Sequence, residues 1–246
     1  MIDGDDPPKR RAFVLAGGRG SRLAPLTTVI PKPLVPVGDL SILEVLIRQL
    51  VRAGISDITI SLGYLGHLIR AVVGDGSRFA ATVTYTEEDT PLGTAGALAL
   101  APNVGPSETV LVLNGDTLTD LSLVDVLDRH EASGADASLV VLRRTTQVDF
   151  GVIERGEDER LVEYREKPTY DFLVSIGVNV FTGRALGEIA SGEALDMPTF
   201  LLRLRDRGRF VRCHEADCFW LDLGRLDDLR QANEVFAELH ERLLPS

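Results

Sequence analysis

Apolar residues recur along this chain at two spacings that take turns. Short apolar runs at residues 12–16 (AFVLA), 57–62 (DITISL), 81–85 (ATVTY) and 109–116 (TVLVLNGD) have the length of strands. Between them, residues 41–54 (SILEVLIRQLVRAG), 65–74 (LGHLIRAVVG) and 121–133 (LSLVDVLDRHEAS) place apolar side chains one helical turn apart. Ser41 stands where a helix N-cap belongs, and Asp120 suits the same role for the helix over 121–133. The run 109–113 is almost wholly apolar, as in a strand covered on both faces. Strand and helix alternate up to residue 145, which predicts a mostly parallel sheet with helices on both sides.

Beyond residue 145 the pattern is mixed. Residues 137–143, 151–155, 160–167 and 173–181 read as strands, and 197–208 and 226–244 as helices, the last capped by Asp227 and Asp228. No Gly/Ser-rich linker divides the chain. The expected fold class is therefore α/β, a doubly wound, Rossmann-like mixed sheet with an α+β C-terminal lobe on the same sheet. Residues 1–11 are expected to be a flexible tail and 12–246 one domain. Open α/β sheets bind ligands beyond the carboxyl ends of their strands, which places residues 17–32, 86–96 and 114–120 on one rim.

Composition narrows the partners. A net charge of −11 over 246 residues disfavours nucleic acid and acidic membranes. No apolar run approaches the roughly 18 residues of a membrane span. The polar start MIDGDDPPKRR has no signal core, so a cytoplasmic location is expected. Two cysteines give no disulfide framework, and Cys213, His214 and Cys218 lack the second ligand pair of a zinc site. Of 26 basic residues only Lys9, Lys32 and Lys167 are lysine.

The stretch VLAGGRGSRLAPLTTVIPKPLVPVG (14–38) carries the first chemistry. Gly17, Gly18 and Gly20 follow a strand and let backbone N–H groups approach an anion. Arg22 offers a guanidinium fork to phosphate oxygens. Lys32 is restrained between Pro31 and Pro33. The order of a P-loop is missing, and Leu23 stands where a dinucleotide fingerprint needs a third small residue. Further on, Asp116 ends a buried strand, where it can hold a hard cation or cap a helix. Glu166 and Lys167 form either a ligand-binding pair or an ordinary exposed ion pair.

These elements together resemble the sugar-1-phosphate nucleotidyltransferases, also called nucleotide-sugar pyrophosphorylases. The family's opening signature, Gly-Gly-x-Gly-x-Arg-Leu followed by Pro-Leu-Thr and Pro-Lys-Pro-Leu-x-Pro-Val, stands here as Gly17 to Val37. PLGTAGAL (91–98), NGD (114–116), EKP (166–168) and WLDLG (220–224) follow in family order, so the resemblance covers residues 12–236. Within that family the chain resembles the GDP-mannose and GDP-heptose type guanylyltransferases, and the β-helix domain that some members append is expected to be absent.

The resemblance implies a site. Leu15, Gly17, Gly18, Gly20, Glu88 and Gly93 would bind the nucleotide, and Arg22 and Lys32 its β- and γ-phosphates. Asp116 and Asp222 would share one Mg²⁺. Gly151, Glu166, Lys167 and Ser175 would meet the sugar phosphate. Many relatives read Asn-Ala-Gly where this chain has Ser175-Ile176-Gly177, which leaves mannose, glucose and heptose open. The position of Glu88 reads the base in this family, and thymidylyl enzymes tend to place Gln there. A carboxylate only accepts hydrogen bonds, which suits the adjacent N1–H and N2 donors of guanine. The implied reaction is GTP plus a sugar 1-phosphate giving nucleotide sugar and pyrophosphate, in a monomer or a homo-oligomer. A glycosyltransferase usually shows Asp-x-Asp after this strand, whereas Asp116 is followed by Thr117 and Leu118. A non-catalytic nucleotide-sugar-binding homologue remains the other alternative.

Overall fold

The computed structural model describes residues 8–244. Strand β1 (Arg10–Ala16) starts two residues ahead of its apolar run, and residues 1–7 of the expected tail lie outside the described part. A short hairpin, β2 (Pro36–Val37) and β3 (Leu40–Ser41), leads into α1 (Ile42–Arg52), whose N-cap Ser41 accepts from Glu44 N–H. There follow β4 (Asp57–Leu62), α2 (Gly66–Val73), β5 (Thr82–Glu87), the single turn α3 (Gly93–Gly96) and β6 (Thr109–Asn114). After β7 (Thr117–Thr119) comes α4 (Leu123–Ser133). Its cap is Ser122, not Asp120, because Asp120 is turned away to accept from Phe219 N–H at 2.7 Å.

The second half supplies β8 (Ala137–Gln147), the hairpin β9 (Val152–Arg155) and β10 (Leu161–Arg165), β11 (Thr169–Thr182), the short α5 (Gly183–Leu186) and α6 (Met197–Asp206). It ends with β12 (Val211–Ala216), β13 (Trp220–Asp222) and α7 (Leu226–Leu243). At the start of α7, Asp228 accepts from Arg225 N–H at 2.7 Å, while Asp227 instead pairs with Arg230.

Seven strands form one sheet in the order β12-β8-β11-β6-β1-β4-β5. β6, β1, β4 and β5 run parallel, β11 is antiparallel to both its neighbours, and β12 is parallel to β8. The C-terminal lobe thus extends the same sheet, as the sequence pattern implied.

Period-two alternation sorts the strands onto two cores. Ala12, Val14, Leu111 and Leu113 face α1, α2 and α4. Phe13, Val110, Val112 and Phe181 face α3, α5 and α6. Leu15 leans to the second side, as does Asn114, one residue beyond Leu113. A third cluster seats Ala232, Phe236 and Leu239 of α7 on Val35, Val37 and Ile42.

One buried imidazole ties the sheet to α4. His130 Nδ1 lies 2.8 Å from Ser138 Oγ, and burial holds its pKa below the ordinary 6.5. The unfolded chain therefore binds a proton first as pH falls, and folding stability drops below pH 6.5 until the lower native value is passed. Urea midpoints at pH 7.5 and 5.5 check this. The acid value is expected to be lower, with a smaller gap in His130→Asn.

Candidate active site

Two distant segments are joined by a ladder too short to show in a hydropathy pattern. β7 pairs antiparallel with β13, with Asp222 opposite Thr117, and Leu223 N–H donates to the Asp116 carbonyl at 3.3 Å. This pairing brings the Asp116 and Asp222 carboxylates together at the carboxyl end of β6. Between them lies the Lys32 ammonium, paired with Asp116 and 3.4 Å from Asp222 Oδ1. Lys32 is only 7 % exposed, and its stem runs beneath the glycine loop. A Cβ at Gly20 would sit 3.0 Å from Lys32 Cβ, and Gly20 has φ +60°, so glycine is required there on both counts.

Arg22 is exposed and lies against Gly224, where an added Cβ would be 3.3–3.4 Å from the guanidinium. The first and last motifs of the chain thereby touch. Gly17 is packed so closely on Gly63, at the end of β4, that a side chain at Gly63 would collide with it.

Beside the acidic pair opens a cavity of about 560 Å³. Its walls include Leu15, Gly17, Gly18, Glu88, Gly93 and Asp116. Glu88 is fixed there and half-buried: Oε2 accepts from Leu92 N–H at 2.6 Å, and Oε1 is 3.4 Å from the Ser61 hydroxyl. Ser61, Tyr64 and Asp196 also line the cavity and were not anticipated, and Asn114 of the NGD motif joins them. The first two sit at the end of β4, where the strand-end rule points. Asp196 is the N-cap residue of α6 but makes no capping bond; Thr94 Oγ1 accepts from Met197 N–H instead. The Asp196 carboxylate turns towards Gly93.

The four expected sugar residues do not line that cavity. Gly151 is crossed by the Tyr164 phenol, which leaves no room for a side chain. The Tyr164 hydroxyl donates to Glu166 Oε2 at 3.1 Å, and that bond to a carboxylate raises the phenol's pKa. Lys167 has φ +43°, a strained backbone for a side-chain-bearing residue. Ser175 is exposed and opens a register shift in β11 that runs to Asn179. Ile176, within it, turns its side chain into the core and offers its carbonyl to Trp220 Nε1 at 3.1 Å. Its bulk is thus spent on packing. Gly177, φ +75°, lies against the Asn114 amide and connects this strand to the cavity wall.

A larger cleft of about 760 Å³ lies between the ends of β8 and β12, near Arg144 and Trp220. It contains neither the acidic pair nor the glycine loop.

Two carboxylates meet the needs of Mg²⁺, which commonly takes one or two of them and fills its octahedron with water and substrate phosphate. Among the described residues no group of three or more His, Cys, Asp or Glu could hold a metal. The ammonium between Asp116 and Asp222 marks the position as one that accepts a cation. No helix among the described residues is long and apolar enough to cross a membrane.

The family described as Nucleotidyl transferase matches residues 11–238. The chain is 31% identical over 240 residues to a mannose-1-phosphate guanylyltransferase of Mycobacterium tuberculosis, covering 96% of this chain and 66% of that one. It is 28% identical over 240 residues to a UTP–glucose-1-phosphate uridylyltransferase of Synechocystis, covering 90% and 62%. The chain thus spans less than two thirds of the length of these curated relatives. A Bacillus anthracis crystal structure, described as a candidate glucose-1-phosphate thymidylyltransferase in complex with a sucrose, superposes with a TM-score of 0.74 at 26% identity, covering 92% of this chain and 94% of that one.

Proposed function

Because the chain belongs to the nucleotidyl transferase family, we propose that it transfers a nucleotidyl group from a nucleoside triphosphate, GTP by preference, to a sugar 1-phosphate. The observation that carries this reading is the Asp116–Lys32–Asp222 group at the strand ends, beside a glycine-walled cavity. A phosphate oxygen of the sugar 1-phosphate attacks the α-phosphorus in line, and pyrophosphate leaves. A phosphate dianion is already a nucleophile, so the protein needs no covalent intermediate and no general base. Its work is alignment and charge neutralisation.

Each residue has one task. The glycine loop gives backbone N–H groups to the nucleotide, and Glu88 accepts from the base. Arg22 and Lys32 hold the β- and γ-phosphates and stabilise the charge of the leaving pyrophosphate. Glu166, steadied by Tyr164, accepts from sugar hydroxyls, and Lys167 neutralises the sugar phosphate. Asp116 and Asp222 would hold Mg²⁺, which when bound supplies Lewis-acid neutralisation of phosphate charge. Mannose, glucose and heptose 1-phosphates are the candidate acceptors.

A matrix of nucleoside triphosphates against sugar 1-phosphates, read as pyrophosphate release, tests the reading; no release from any pair overturns it. Lys32→Arg is expected to lose kcat/KM rather than conserve it. The slot between Gly20 and two carboxylates fits a compact ammonium and not a planar fork. Near wild-type kcat/KM in that variant would remove Lys32 from the mechanism.

A further inference from the structure

The placement of Lys32 has consequences for how the site is loaded. Its ammonium pairs with Asp116 and Asp222, and among the described residues neither aspartate has another ion-pair partner. The three groups carry one positive and two negative charges. A divalent cation entering between the carboxylates meets an ammonium already there, and two cations at ion-pair distance repel. In the absence of another anion, Lys32 stays with the pair. Its side chain is 9 % exposed, and its stem passes close beneath Gly20.

We propose that Lys32 is an internal counter-ion that holds the acidic pair together and suppresses metal binding until a triphosphate arrives. This rests on the reading of Asp116 and Asp222 as the metal-holding pair. The anionic triphosphate offers Lys32 a second partner. As the ammonium shifts to it, the carboxylates are left with net charge −2 and accept the divalent ion. Metal and nucleotide are then coupled, each raising the affinity of the other. The lysine supplies the coupling because it cannot serve both sets of oxygens equally. Without it, the two carboxylates would face each other unpaired before the substrate binds, a costly arrangement for partly buried charges.

The probe is Mn²⁺ alone, titrated into protein without nucleotide and read from the EPR signal of the free ion. Lys32→Met is expected to bind Mn²⁺ at least about tenfold more tightly than wild type, a factor that corresponds to roughly 1.4 kcal/mol. Asp222→Asn in the same background is expected to abolish the gain. Arg22→Met removes one positive charge nearby but not between the carboxylates, and is expected to change the affinity less than about threefold. A thermal melt gives a second readout. Lys32→Met, or Lys32→Gln if the first variant does not fold, is expected to melt lower without metal and to recover with Mn²⁺. Wild type should respond little.

The inference is overturned if neither lysine variant binds Mn²⁺ more tightly than wild type, or if Arg22→Met gives the same gain. The outcomes also separate it from the functional reading. Mg²⁺-dependent turnover with no Lys32 effect on Mn²⁺ binding removes the counter-ion alone. Tight Mn²⁺ binding by Lys32→Met, with no transfer activity of the wild type on any substrate pair, leaves the counter-ion and removes the function.

Discussion

Asp116→Asn and Asp222→Asn are each expected to lower kcat by at least about a hundredfold with the fold intact, since what is lost is charge stabilisation in the transition state. The fold should survive because the backbone, not the carboxylates, forms the β7–β13 ladder. Either change leaves Lys32 with one carboxylate, so the melting temperature should move only slightly. The effects should also be far from additive. On the proposed function the two aspartates act on one cation, so removing either disables the pair. The double variant is therefore expected to be little worse than the poorer single one. EDTA should silence the wild type and Mg²⁺ restore it. Steady-state kinetics on the best substrate pair check all of this; full turnover in EDTA would sink the metal assignment.

GTP should be preferred over UTP and dTTP by at least about a hundredfold, if the base pocket excludes water. The cause is Glu88. Leu92 N–H occupies one lone pair of Oε2, and the Ser61 hydroxyl stands 3.4 Å from Oε1. A carboxylate has about four acceptor sites, so both oxygens can still receive donors. Guanine supplies two, N1–H and the N2 amino group, and charge-assisted bonds are worth about 1.5–3 kcal/mol each. Uracil and thymine set a carbonyl against the carboxylate. ATP presents a bare N1 and should be poor, while CTP can donate once through its N4 amino group. Glu88→Gln is expected to keep the Leu92 bond through its amide oxygen, shrink the GTP preference and raise use of UTP or dTTP. The assignment fails if wild type uses UTP or dTTP as well as GTP, or if Glu88→Gln leaves the nucleotide ranking unchanged.

The legible parts of the sequence were those where one physical signal dominates. Apolar runs at 57–62 and 109–114 mark buried parallel strands, and both are found there. β12 escaped notice because it is an edge strand reading Val-Arg-Cys-His-Glu-Ala, with only His214 fully buried. β7 and β13 are three residues each and have no period to detect, yet they assemble the acidic pair. Asp120 looked like a cap because it precedes a helix; its use by Phe219 N–H depends on a segment about a hundred residues away. Asp196 was hidden for the opposite reason. It occupies a cap position in sequence, but Thr94 takes over the capping bond. Residue type shows what a side chain can do, and tertiary neighbours decide which of those capacities is used.

The β7–β13 ladder also bears on the order in which the molecule becomes competent during synthesis. All seven strands of the main sheet lie within residues 10–216, so a nascent chain could complete that sheet while Asp222 is still inside the ribosome. At that stage the glycine loop, Glu88 and Asp116 have already emerged, but the second carboxylate and the Gly224 that lies against Arg22 have not. On the proposed function, the metal-holding pair is therefore complete only once β13 has left the ribosome and paired with β7.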